Sequence, residues 1–99
     1  MKLVFTPEAE RQASEMDAWW REHRPDARDL FARELAEARE LMAATPGVGV
    51  TYTDANAKTA RRVLLPKTRN HVYFEVDEQR GLVIVLAVWG APRRRGPQL

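Results

Sequence analysis

Cysteine is absent from this 99-residue chain, which excludes a disulfide framework and thiolate-ligated metals and leaves stability to one packed core. The only two histidines, His23 and His71, cannot make a metal site by themselves. Long hydrophobic runs are also missing at the start. MKLVF gives way at once to Thr6-Pro7, so it reads as a short strand, neither a signal peptide nor a membrane span. Cytoplasmic residence and no membrane partner are expected. Paired carboxylates, a nucleophile beside a base, repeats and low-complexity stretches are likewise lacking. Gly47-Val48-Gly49 follows a helical pattern and is too short for a nucleotide fingerprint, so it reads as a turn. These absences predict a single domain over residues 1–99 with no cofactor, no metal and no obvious catalytic set.

What is present is uneven in charge. Seven Lys/Arg stand against ten Asp/Glu from Met1 to Thr45, a balance of −3, whereas nine stand against three from Lys58 to Leu99, a balance of +6. The basic surface therefore belongs to the C-terminal half, where it favours anions or acidic partners.

After the first strand, Thr6 is an N-cap, Pro7 a first helical residue, and Glu8 and Glu10 suit the positive helix end. Ala9, Ala13, Met16 and Trp20 form an apolar stripe until Arg24-Pro25 interrupts it. Asp26 is expected to cap a second helix with the stripe Ala27, Phe31, Leu35, Ala38 and Met42, ending at Thr45-Pro46-Gly47. The alternating Glu and Arg from Arg33 to Glu40 read as its solvated face. VGVTYT suits a short edge strand. Arg61–Leu65 and His71–Val76 read as strands, Asp77–Gly81 as a hairpin turn, and Leu82–Trp89 as an unbroken apolar strand buried on both faces. The expected fold is α+β, in the order β-α-α-β-β-β: an N-terminal strand, then a helical hairpin packed on one face of a largely antiparallel sheet. If Leu82, Ile84, Leu86 and Val88 face the helices, then Val83, Val85, Ala87 and Trp89 face away. The loop before Thr59 or the C-terminal tail covers some of them, and the remainder should form an apolar patch for a partner.

Three features invite function. The tail APRRRGPQL cannot extend the sheet past Pro92 and Pro97, and Arg93, Arg94 and Arg95 must face water or an anion; Arg61 and Arg62 add to that basic surface. Trp19 and Trp20 lie about 100° apart around a helix, so one of them belongs at the margin, where an interface can use it. Lys67, Arg69, His71 and Tyr73 offer the base, acid and cations that RNA cleavage through the 2′-hydroxyl requires, although an ordinary strand with a solvated turn has the same composition.

The opening strand with TPEAERQ, Phe31 and the exit at Pro46-Gly47, Arg62-Val63-Leu64, HVYFEV, and the apolar strand Leu82–Trp89 before Arg93-Arg94 together resemble the RelE/ParE superfamily of bacterial toxins. The resemblance implies the toxin component of a type II toxin–antitoxin module, in a heteromeric complex with a cognate ParD-like antitoxin. RelE-type members cut ribosome-bound mRNA, and one would be expected to carry an arginine in the last strand and a Tyr or His after it. LVIVLAV is wholly apolar, and no Tyr or His follows Tyr73. The resemblance therefore points to the ParE branch, whose members inhibit DNA gyrase without catalysis. On this reading Arg61, Arg62, Arg93, Arg94 and Arg95 bind the target, and Trp19, Trp20, Val83, Val85 and Trp89 bind the antitoxin. The alternatives are a ribosome-dependent mRNA endonuclease using Lys67, Arg69, His71 and Tyr73, and a non-toxic binding module of the same fold.

Overall fold

The computed structural model describes residues 1–91 and 95–99; Arg93 and Arg94 of the expected target-binding set lie outside the described residues. The elements are β1 (Lys2–Phe5), α1 (Pro7–His23), a 3-10 turn (Pro25–Ala27), α2 (Leu30–Ala44), β2 (Val50–Thr53), β3 (Thr59–Leu65), β4 (Asn70–Asp77) and β5 (Leu82–Gly90). The five strands form one sheet in the order β1-β5-β4-β3-β2, in which only β1, parallel to β5, departs from antiparallel pairing. The α+β expectation holds, with β2 added as an edge strand. Among the described residues no helix is long and apolar enough to cross a membrane.

α1 begins as its sequence dictates. The Thr6 hydroxyl accepts a 3.1 Å hydrogen bond from the Ala9 amide, and Pro7 opens the first turn. Arg11, reaching both Glu8 and Glu15, laces its exposed side. α2 starts later than expected. Pro25 draws Asp26 into the 3-10 turn, and Asp29 occupies the N-cap without a side-chain bond. Phe31, Ala38 and Met42 then join Ala9 of α1 and Val63, Leu65, Val72, Phe74, Val83, Val85 and Val88 of the sheet in the core. Burying each larger side chain contributes about 1.5 to 3 kcal/mol before the entropy of ordering it is charged.

The facing of β5 corrects the sequence reading. Val83 and Val85 are fully buried in the helix-covered core rather than on the uncovered side. The pairing with β4 slips between Tyr73 and Phe74: Phe74 pairs with Val85 and Tyr73 with Ala87, so Leu86 is an extra residue. This bulge reverses the alternation. Val83, Val85 and Val88 all reach the helices, while Ala87 joins Tyr73 on the far face. Beyond Phe5, where β1 ends, the Val88 amide donates to the side-chain Oε1 of Gln12 on α1 at 2.8 Å.

Candidate functional site

Tyr73, between the core residues Val72 and Phe74, points to the far face of the sheet with His71 and, from β3, its partner Arg62. Tyr52 of β2 packs edge-on against Tyr73 with ring centroids 4.8 Å apart. The Arg62 guanidinium lies over both rings, 5.5 Å from that of Tyr52 and 6.0 Å from that of Tyr73, and its Nη1 is 3.4 Å from the Tyr73 hydroxyl. Its buried Nε has no hydrogen-bond partner among the described residues. The result is a cation held between two phenols.

Residues 95–99 close over this cradle as a strap. The Trp89 indole donates to the Arg95 carbonyl at 2.8 Å, and the Tyr52 hydroxyl donates to the Pro97 carbonyl at 3.0 Å. The Asp54 carboxylate accepts from the Leu99 amide at 2.8 Å. Pro97 is buried, and a Cβ on Gly96 would stand 2.2 Å from the Tyr52 hydroxyl oxygen, so only glycine admits this approach. Asp54 also accepts from the Asn56 and Lys58 amides in the β2–β3 turn. The Leu99 bond foremost, then that from Lys58, hold its carboxyl below the ordinary range. Burial, followed by the neighbouring Tyr73, pushes the Tyr52 phenol up.

The endonuclease set is only partly assembled. His71 contacts Tyr73 edge-on at 6.0 Å, and burial, with Arg62 second, lowers the imidazole's pKa. Tyr73 itself is 1% exposed. Lys67 and Arg69 project from the β3–β4 turn, with no hydrogen bond or ring contact joining either to His71 or Tyr73 among the described residues. That turn is held by a residue the sequence reading placed in solvent. Glu34 of α2 is buried and accepts from the Lys67 amide at 2.7 Å, the Thr68 amide at 3.0 Å and the Thr68 hydroxyl at 2.7 Å. Its signal was a charge within the apolar stripe, three residues after Phe31 and four before Ala38.

The arginines expected to bind a target divide. Arg61 is committed to structure, its guanidinium donating to the carbonyls of Gly47, Val48 and Gly49 at 2.6, 3.0 and 2.7 Å. Arg62 occupies the cradle, and Arg95 is exposed on the strap. Of the antitoxin set, Trp20 packs on the core while Trp19 is 42% exposed, stacked on His23 and capped by Arg24. Met16, Trp19, Trp20, Arg69 and Trp89 help line a groove of about 880 Å³ between α1 and the end of β5. Val83 and Val85 lie beneath the helices, so the predicted apolar patch does not include them.

No protein-family model matches the sequence, and no curated protein matches it. Its structure is similar to the crystal structure of the isolated Escherichia coli RelE toxin, with a TM-score of 0.52 and 20% identity over 93% of this chain and 85% of that one. At that identity the likeness speaks for architecture: the chain has the fold of the RelE toxin.

Proposed function

We propose that the protein is the toxin component of a type II toxin–antitoxin module that acts by binding DNA gyrase and is neutralised by a cognate antitoxin. The observation that carries the non-catalytic reading is the burial of Tyr73 beneath Tyr52, with Arg62 over its ring. A phenol so enclosed is poorly placed to deliver a proton to a leaving oxygen, which a general acid must approach to within about 3 Å. The groove beside Trp19, Trp20 and Trp89 offers an antitoxin helix aromatic anchors of the kind that dominate interfaces.

Induced expression without antitoxin tests this reading. Growth arrest with an SOS response and gyrase-linked DNA breaks, mRNA remaining intact, is expected. Arrest by ribosome-dependent mRNA cleavage that is lost in His71→Ala would replace it with the endonuclease reading. The similarity to RelE and the contact between His71 and Tyr73 favour that second reading.

A further inference from the structure

The strap is gripped in an unusual manner. Alternate residues, Arg95, Pro97 and Leu99, are each held through the backbone, and each by a different side chain: Trp89 of β5, Tyr52 of β2 and Asp54 of the β2–β3 turn. Two donors meet carbonyls two residues apart, and an acceptor meets the amide two residues further on. None of the three bonds uses a strap side chain. A groove built this way reads an extended backbone and selects only what its walls touch. Here these are a glycine against the Tyr52 ring and a buried proline after it. Aromatic walls with hydroxyl and indole donors are how proline-containing extended peptides are recognised, because such segments lose little entropy on docking.

We infer that the Trp89–Tyr52–Asp54 groove is a peptide-binding site occupied in cis by residues 95–99, and that it accepts in trans an extended partner segment carrying Gly-Pro between two residues whose backbones can take the outer bonds. The seated segment supplies the template for that partner. Its tether gives it an effective concentration on the order of millimolar, so a free peptide competes poorly until the strap is displaced. A partner that supplies its own segment would release the strap, and with it the exposed Arg95, from the sheet. The inference is independent of the proposed target, since it concerns a groove already filled.

The probe is a fluorescein-labelled heptapeptide, Arg-Arg-Arg-Gly-Pro-Gln-Leu, measured by anisotropy against the full chain and against full-chain Gly96→Val. The added side chain at position 96 must push the strap off Tyr52. Gly96→Val should bind the peptide at least tenfold more tightly than the unmodified chain, and adding Tyr52→Phe should remove most of that gain. A peptide with the same arginines but Pro-Gly in place of Gly-Pro should bind more weakly, which separates groove recognition from simple charge attraction. Equal binding of the two peptides, or no gain in a folded Gly96→Val, overturns the inference. Should that variant not fold, the unmodified chain decides: several millimolar peptide must move the Trp89 indole N–H resonance, and a resonance that stays in place overturns the inference equally.

Discussion

Replacing Glu34 by alanine should be among the most damaging single changes outside the apolar core. Its carboxylate takes three hydrogen bonds from Lys67 and Thr68, more than thirty residues away in sequence, and so ties α2 to the β3–β4 turn. Deleting it strands the Thr68 amide and hydroxyl in a buried site. Each unsatisfied donor costs about 1 to 3 kcal/mol, but bonds within one network are not additive, so a net loss of about 2 to 4 kcal/mol is expected. Against a typical domain stability of about 5 to 15 kcal/mol, that loss is large. In urea unfolding, with a slope of about 1.5 kcal/mol/M, the midpoint should fall by roughly 1.5 to 2.5 M at unchanged slope. Glu34→Gln should fall between alanine and the unmodified chain, because its NH₂ replaces one of the two acceptor oxygens. An alanine variant within about 0.5 kcal/mol of the parent would show that the turn holds itself and that the buried carboxylate is dispensable.

Arg61→Lys keeps the charge but cannot reach three carbonyls with one planar fork; a loss of about 1 to 2 kcal/mol in the same assay is expected, and none would deny the clamp. The Asp54 carboxyl is lowered in the folded state, so its contribution is complete above the ordinary value of 3.8 and is lost as pH falls through the lowered one. Acid should therefore loosen the strap, a change visible at the Trp89 indole N–H resonance and absent in Asp54→Asn. His71, with its pKa lowered, should titrate by NMR below its ordinary 6.5, and its share of stability should decline as pH drops beneath 6.5. Replacing Arg93, Arg94 and Arg95 together by alanine should abolish growth arrest while the antitoxin still co-purifies; full toxicity would reduce these arginines to a solubilising run.

Periodicity carried most of the architecture, because both helices bury one stripe and the strands alternate regularly up to the bulge between β4 and β5. Thr6-Pro7 placed the start of α1, and the apolar run Leu82–Trp89 placed the central strand. What pattern could not carry was parity. A single extra residue at Leu86 exchanges the two faces of β5, and no residue type there announces a bulge. The candidate site was legible in part. His71 and Tyr73 were named together and do share one face, which Arg62, named only for its charge, joins from β3; cover by the tail was anticipated from the surplus of apolar positions. The individual contacts were not, since Tyr52 and Asp54 meet backbone groups of a segment more than forty residues distant, where Gly96 makes room for the Tyr52 ring. Arg61 and Arg62 look alike in sequence, yet one serves a loop and the other a ring pair, because neighbours on a strand point in opposite directions.

The pairing of β1 with β5 also bears on how the chain comes to be folded at all. Residues 2–5 precede every other described element, yet their strand partner among the described residues is residues 82–85. A meander can assemble from neighbouring segments, but this parallel edge joins strands about eighty residues apart, and closing so long a loop is slow. The same late segment brings Val83, Val85 and Val88, without which the helices have an incomplete floor. A chain lacking β5 would thus hold its groove without the Trp89 wall and its cradle without the strap that Trp89 grips. Both the groove and the strapped cradle therefore arise only after β5 has docked against β1 and β4.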